Sequence, residues 1–312
     1  MSKKIIFIPI LCSAAMLTGC FNILSSVAST ISDGGDISQP TFSAEGDETT
    51  AEKFSNALDK DLEDLGLNYV ANETSYKSFV ASIKAQRETH TSIKDSKNKY
   101  RGNESNTTKN ISDIKYSRDS KVLAFEQTYT VKATYSGGNT TNEDNQTTKH
   151  KGQYQYEYSN LVLTDDVVKE YTDAYVPASI DGNHQMDYLI YSEIGSFVNL
   201  IMSYTSSAMS KNCRFYRNDK VYTVEYSEKK DNSTSYSEDI VTYKNKAQLN
   251  LGSKAMTLKY TSESNRNTDV NNSSYSADDK RSITTKEYGT ATLEYKEPNL
   301  KSVDLSGYTK EA

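Results

Sequence analysis

The most regular apolar pattern in the chain lies between His184 and Ser210, and it constrains the fold more than any other segment. Its apolar residues recur at steps of three and four, which is the spacing of one face of an α-helix. They are Met186, Ile190, Ile194, Phe197, Ile201, Tyr204 and Ala208, with Leu189, Val198 and Met202 widening the stripe. A stripe of this width would drive association if it faced water. The sequence therefore predicts a long central helix buried against another layer.

Other segments alternate apolar and polar residues, which is the pattern of a half-buried β-strand. The main ones are residues 125–135, 154–163, 213–216, 221–226, 247–251, 254–260 and 283–295. Asn218-Asp219 and Gly252-Ser253 separate neighbouring segments and predict tight turns between paired strands. Residues 136–151 and 261–281 are rich in Asn, Ser and Thr, and we expect them to be long polar loops.

Two helices are predicted ahead of the strands. The first begins at Thr49 or Thr50, because Thr49 and Glu52 have the spacing of a capping box. The second covers about residues 74–94, where four apolar residues share one helical face. They are Tyr76, Phe79, Val80 and Ile83. With the central helix and the strands, this order predicts an α+β fold with one curved antiparallel sheet.

The first twenty residues resemble the start of a bacterial lipoprotein. Two lysines precede an apolar stretch, Ile5 to Met16, that is too short to span a bilayer and has the length of a signal-peptide core. Leu17-Thr18-Gly19-Cys20 then resembles a lipobox. The resemblance implies a diacylglycerol group on Cys20 and cleavage between Gly19 and Cys20. The alternative is an ordinary secretory signal with an incidental cysteine.

This interpretation sets the expected domains and location. Residues 1–19 are a signal peptide, residues 20–48 are a flexible tether, and residues 49–312 form one domain. Two acyl chains give a stable membrane anchor, so the protein is expected on the extracytoplasmic face of the cell membrane. The membrane is then its first partner.

Cysteine content and charge exclude further classes. Cys12 is lost with the signal and Cys20 carries lipid, so Cys213 has no partner for an intrachain disulfide. We expect Cys213 to be a small buried side chain rather than a nucleophile. The formal net charge of -6 becomes -8 when Lys3 and Lys4 are removed with the signal. Nucleic-acid binding requires a basic surface, so we predict no nucleic-acid partner.

No motif indicates catalysis or a cofactor. The sequence lacks a Gly-rich phosphate loop, His-Glu-x-x-His and Gly-x-Ser-x-Gly. Asp269, Asn271 and Ser273 have the spacing that opens an EF-hand loop, but Ser274 replaces the required Gly and Lys280 the required Glu. We predict no metal, no cofactor, no catalytic residue and no enzymatic activity. The 24 tyrosines either line a ligand-binding sheet or are simply good strand residues.

The order of predicted elements over about residues 50–310 resembles the LolA/LppX-type lipoprotein fold, in which helices plug an open half-barrel. The resemblance implies an apolar cavity between the central helix and the sheet, and a bound lipid or other apolar or amphipathic ligand. The candidate lining is Leu189, Ile190, Phe197 and Ile201. The alternative is a surface lipoprotein that contacts a protein or a glycan through its long polar loops, as an adhesin, scaffold or accessory subunit. The sequence leaves the protein partner open.

Overall fold

The computed structural model describes residues 37–65, 78–94, 100–117, 119, 122–137, 140–155, 161–162, 198, 200–270 and 279–300. These residues form one antiparallel sheet of eleven strands, accompanied by one α-helix, a short helical segment and a 3-10 turn. The predicted α+β fold, with N-terminal helices and a central apolar helix on a half-barrel, is wrong. The described chain is mostly β-sheet.

The elements are named in chain order. The first meander is preceded by a short strand and a helix: β1 Asp47–Thr49, α1 Ala51–Asp64, β2 Phe79–Lys94, β3 Tyr100–Ser117, β4 Val122–Gly137, β5 Thr140–Gln155 and β6 Leu161–Val162. A 3-10 turn, Ser210–Asn212, leads into the second meander. Its strands are β7 Cys213–Asn218, β8 Val221–Asp231, β9 Ser237–Leu251, β10 Ala255–Val270 and β11 Asp279–Glu294.

The two meanders lie side by side in one sheet. Strands β2 to β6 pair in chain order, strands β7 to β11 do the same, and β1 pairs with the outer edge of β7. The sheet is completed where β11 pairs with β2, from Lys280 opposite Lys94 to Glu294 opposite Val80. This central pairing joins residues that are far apart in sequence, so no local pattern specifies it.

One face of the sheet carries the core, and we call it the inner face. Val224, Leu249, Leu258 and Leu293 lie on it and are at most 3% exposed. Helix α1 and the segment around Tyr204 cover these residues, and together they form one apolar cluster. The opposite, outer face carries the residues between them in sequence, which are mostly polar or charged.

Helix α1 confirms the first predicted helix. The Thr50 hydroxyl accepts a hydrogen bond from the Lys53 backbone N–H at 3.3 Å and caps the helix. The ring of Phe54 lies 5.1 Å from that of Phe215 and 5.2 Å from that of Tyr222. These contacts dock α1 on the inner face of β7 and β8.

The alternation of burial stops part of the way along the long strands. In β10, Met256, Leu258 and Tyr260 are buried in turn, whereas residues 261–269 are half-buried or exposed on both faces. In β11 the same change occurs between Glu287 and residues 280–286. Strands with one face on a core alternate, and these segments do not. We call residues 261–269 and 280–286, with their partners 238–246 and 88–94, the sheet extension. Most of its described side chains are half-buried or exposed, and Thr91, Asp239 and Val241 are buried.

The second predicted helix, residues 74–94, is wrong over the part that is described, because residues 79–94 are strand β2. The apolar residues there also fit a period of two. Phe79, Ala81, Ile83 and Ala85 are all buried on the inner face. Pairing with β3 and β11 on both sides stabilises the strand, and this tertiary contact overrides the helical spacing.

The predicted central helix, residues 184–210, is described only from residue 198 onward. Residues 198 and 200–203 are helical, and turns follow from Tyr204. Two hydroxyls bond back to the backbone here, from Ser203 to the Leu200 carbonyl and from Thr205 to the Met202 carbonyl, each at 2.8 Å. Such bonds compete with a continuing helix. The helix therefore ends well before Ser210, contrary to the prediction.

The two predicted polar loops are largely strands. Residues 140–151 belong to β5, and residues 261–270 and 279–281 belong to β10 and β11. Residues 141–147 and 261–269 are half-buried or exposed on both faces, so their polar composition reflects the lack of a core there rather than the lack of a strand. The hairpin of β7 and β8 and the turn at Gly252-Ser253 are confirmed. Asp219 in the hairpin turn has a φ of 51°, in the left-handed region.

Candidate functional site

A polar cavity lies on the outer face, where strands β8 to β11 leave the core and enter the sheet extension. Its volume is about 440 Å³. We call it the polar pocket. The residues that line it include Gln39, Glu225, Ser227, Lys244, Lys246, Thr261, Glu263, Lys286 and Tyr288.

Strand register builds the floor of the polar pocket. Lys244, Glu263 and Lys286 stand directly opposite one another on β9, β10 and β11. Ser227 and Glu88 continue the same row on β8 and β2. Adjacent strands are about 4.8 Å apart, so the row places positive and negative side chains alternately across the sheet. A continuous antiparallel ladder holds these positions fixed.

The lysines of the polar pocket differ in their partners. Lys246 donates to Glu225 at 2.8 Å and also contacts Glu45. Burial alone would lower the pKa of Lys246, but these two carboxylates outweigh it and raise that pKa. Within the described residues, neither Lys244 nor Lys286 forms an ion pair. Both charges are therefore available to a ligand.

Acceptors on the same face are held in place by hydrogen bonds. Glu88 accepts from the Tyr288 hydroxyl at 2.9 Å and from the Gln86 amide at 2.7 Å. Glu263 accepts from the Asn265 amide at 3.1 Å. The pocket thus offers ordered acceptors beside two lysines for which the described residues supply no ion-pair partner. Such an arrangement can bind hydroxyl, amide or anionic groups.

The N-terminal segment lies across the outer face and borders the polar pocket. The Ser43 hydroxyl and backbone N–H both donate to the Gln248 side chain, at 2.7 and 3.0 Å. Lys259 donates to the Thr41 carbonyl at 2.8 Å, and the Lys246 ammonium lies 5.3 Å from the Phe42 ring centre. Gln39 then reaches the pocket. The sequence did not predict this contact, because the segment lacks an apolar pattern.

A second polar cluster lies on the inner face behind the polar pocket. Asn245, Ser262, Glu287 and Arg87 stand opposite one another on four neighbouring strands. Glu287 is 8% exposed, and burial raises its pKa to about 7, although the charge of Arg87 opposes this shift. The row marks the boundary between the apolar core and the sheet extension.

Tyr204 connects the helical segment to this inner cluster. Its hydroxyl accepts a hydrogen bond from the Asn245 amide at 3.1 Å, and its ring lies 5.8 Å from that of Tyr226. The Ser262 hydroxyl in turn donates to the side-chain oxygen Oδ1 of Asn245 at 2.9 Å. Burial raises the pKa of Tyr204, so its hydroxyl stays protonated. Each of the four strands contributes a side chain to this cluster, and two of these side chains, Asn245 and Ser262, bond to each other. We therefore assign the cluster a structural role.

Of the lipidation, cleavage and apolar-pocket residues predicted from the sequence, the structure describes only Ile201. Gly19, Cys20 and three residues of the predicted apolar pocket, Leu189, Ile190 and Phe197, lie outside the described residues. Ile201, the fourth, is fully buried and belongs to the core cluster.

Cys213 is half-buried, and its thiol donates to the Met209 carbonyl at 3.2 Å. Burial raises the pKa of Cys213 to about 12. A thiol that stays protonated is a poor nucleophile, in line with the small buried residue predicted for this position.

The segment that was compared with an EF-hand is not a loop over its described part. Asp269 lies on β10 and forms an ion pair at 2.6 Å with Lys280, directly opposite it on β11. In the part of the chain that the structure describes, no cluster of three or more metal-binding side chains is found.

The row of Lys244, Glu263 and Lys286 is not predicted by the sequence, because a loop over residues 261–281 removes the strand that carries Glu263 between the two lysines. A strand through this region would have placed Glu263 and Lys286 on one face. The available signal was the high threonine content of both strands, since threonine favours β-structure.

No protein-family model matches the chain, and no curated protein is significantly similar to it. None of the helices in the described part of the chain has the length and apolar character needed to cross a bilayer.

Proposed function

We propose that this chain is a lipid-anchored surface protein that acts without catalysis, by contact with a polar partner, through the outer face of its sheet. The partner is a protein or a glycan. The observation that carries the proposal is the polar pocket, where Lys244 and Lys286 have no ion-pair partner among the described residues and flank the hydrogen-bonded Glu263.

The dimensions and chemistry of the pocket support this role. Ligand pockets commonly measure about 300–1,000 Å³, and this one measures about 440 Å³. Its side chains are largely polar, so an apolar ligand would leave their hydrogen bonds unmade, at a cost of about 1–3 kcal/mol for each buried group. A ligand with hydroxyl, amide or carboxylate groups would satisfy them.

The anchor follows from the lipobox-like Leu17-Thr18-Gly19-Cys20. A flexible chain between Cys20 and Gln39 would span about 24 Å on average, from about 5–6 Å × √n. Because Gln39 borders the polar pocket, the domain would join its tether beside this site. The pocket would then lie close to the cell surface, within reach of envelope components.

Binding to cell envelopes tests the proposal. Detergent-solubilised full chain is incubated with envelopes of the producing bacterium, and the bound fraction is measured after sedimentation. Lys244→Glu should lower binding severalfold. The matched control is Lys53→Glu, because Lys53 is an exposed lysine on α1, away from the pocket.

Treatment of the envelopes identifies the partner. Loss of binding after protease treatment indicates a protein, and loss after periodate oxidation indicates a glycan. Equal binding by the unsubstituted chain, Lys244→Glu and Lys53→Glu would contradict a contact site at the polar pocket.

A further inference from the structure

Strand β5 has a long open edge. It pairs with β4 along its whole length, but on its other side β6 pairs only with Gln153 and Tyr154. Within the described chain, no strand pairs with that side of residues 140–152. Residues 141–146 are exposed. An edge of this kind presents unpaired backbone N–H and C=O groups and is a template for another strand.

The charges of this edge are divided by sign. Glu143 and Asp144 lie toward one end, Lys149 and Lys151 toward the other, and the residues between them are uncharged. If a second copy of β5 pairs antiparallel about a two-fold axis at Gln146, Glu143 faces Lys149 of that copy, and the reverse pair forms by symmetry. Opposite charges directly across a strand pair stabilise the pairing.

This register also fits the length of the edge. An axis at Gln146 places residue 140 opposite residue 152, so the pairing uses the open edge up to the point where β6 begins. Shifting the axis to Thr147 shortens the pairing to residues 142–152 and brings Glu143 opposite Lys151. Both registers keep Glu143 opposite a lysine. If the charges protected this edge from self-pairing, each would face a charge of the same sign on the second copy.

A second open edge, on β8, differs in length and in charge pattern. On β8, the segment beyond the pairing with β7 is short, Ser227–Asp231. Its Lys230 already pairs with Glu228 at 3.1 Å. Antiparallel self-pairing centred on Lys229 would join only five residues and would place two lysines against each other, while Glu228 and Lys230 already pair within each copy. Of these two edges in the described part of the chain, the β5 edge is therefore the better suited to a second copy.

We propose that two copies of the chain associate through β5 and continue the sheet across a two-fold axis near Gln146. The interface is isologous, so it closes at a dimer and does not grow into a filament. The outer faces of both copies lie on the same side of the joined sheet. The dimer would thus present two polar pockets toward the same surface.

Disulfide cross-linking in membranes from cells that produce the full chain tests this dimer. Residues opposite each other in an antiparallel pair have Cα atoms about 4.5–5.5 Å apart, within the range that a disulfide bridges. Gln146→Cys, or Thr147→Cys for the shifted register, should give a dimer band on mild oxidation that reductant removes. The unsubstituted chain gives the background.

Asn142→Cys is the matched control. Asn142 is exposed on the same edge, but the two copies of this residue would lie about 26 Å apart, at about 3.3 Å per residue along the strand. It should give no band above background. Charge reversal by Glu143→Lys in the cysteine variant should lower the cross-linked fraction severalfold, and adding Lys149→Glu should restore it.

Three results would overturn the proposal. The first is a monomer for both Gln146→Cys and Thr147→Cys, and the second is equal cross-linking of Asn142→Cys. The third is a disulfide to a different protein in place of the dimer, which would make the edge a site for another partner.

Discussion

Tyr260 donates a hydrogen bond from its hydroxyl to the carboxyl group of Glu287 across 3.3 Å, at the last buried position of two paired strands. The carboxyl group lies where the apolar core gives way to the sheet extension, and burial raises its pKa to about 7. Neutral Glu287 is compatible with this position, whereas ionised Glu287 is costly there. The pair links the stability of the domain to pH.

The free energy of unfolding should fall as the pH rises from about 4.5 to about 8, because Glu287 ionises over this range. Its pKa is raised in the folded protein, so its contribution is complete below the unfolded value of 4.5 and is lost as pH rises through about 7. The shift corresponds to about 3 kcal/mol at about 1.4 kcal/mol per unit. Thermal melts at pH 5 and pH 8 should show this difference, and Glu287→Gln should reduce it. Glu263→Gln on the outer face is the control, and an unchanged pH dependence in Glu287→Gln would refute the assignment.

Ile201→Ala should destabilise the domain by about 2–5 kcal/mol, because it removes a fully buried side chain from a packed core. Ile240→Ala is the matched substitution on the half-exposed outer face and should cost much less. Urea denaturation of both variants measures the difference. Equal midpoints for the two would mean that Ile201 does not pack in the core.

Asp61 links α1 to the sheet and is 7% exposed. It accepts hydrogen bonds from the Tyr222 hydroxyl and, at 3.3 Å, from Arg217. Tyr222→Phe leaves a buried carboxylate with one partner fewer, so it should cost about 1–3 kcal/mol. Lys60→Ala removes the exposed pair with Asp64 and should leave stability nearly unchanged, because exposed ion pairs contribute little. If both variants unfold at the same denaturant concentration, the hydrogen bond between Tyr222 and Asp61 contributes no more to stability than the exposed Lys60–Asp64 pair.

Gly46→Ala should release the N-terminal segment from the outer face. A Cβ at residue 46 would overlap the Arg217 carbonyl oxygen, so the backbone of one segment must move. A protease that cleaves after glutamate should then cut at Glu45 and Glu48 faster than in the unsubstituted chain. Mass spectrometry of timed digests identifies the sites.

The control for this experiment is Ala44→Ser, a small change at an exposed position of the same segment. It should leave the cleavage rates unchanged, because an exposed hydroxyl there displaces no backbone. Equal rates in all three proteins would show that the contact is not held in solution.

Cys20→Ser should abolish lipid attachment if the lipobox resemblance is right. The substitution removes the thiol that would accept the diacylglycerol, and the signal peptide should then escape cleavage by the lipoprotein peptidase. Metabolic labelling with a palmitate analogue measures incorporation. Cys213→Ser is the matched control and should label as strongly as the unsubstituted chain. Equal label in Cys20→Ser would end the lipoprotein interpretation.

Two elements that border the core could be predicted from the sequence. Helix α1 has a hydroxyl cap and an apolar stripe that occur within a few residues of each other. The hairpin of β7 and β8 has alternating residues on both sides of a turn at Asp219. In these places one face is buried and the other is exposed to water, so the local spacing of apolar residues indicates which face packs on the core.

The tertiary structure alone decided the rest. Phe79 and Ile83 fit a helix and a strand equally well, and pairing of β2 with β3 and β11 made the segment a strand. Neither face of residues 261–269 is buried, so these residues carry no alternation of apolar and polar side chains that a sequence could reveal. Ladder hydrogen bonds with distant strands hold them instead. The pairing of β11 with β2 fixes the central register of the sheet, and with it the partners of Lys286. No local pattern specifies that register, because it joins residues about 200 positions apart, from Lys280 with Lys94 to Glu294 with Val80.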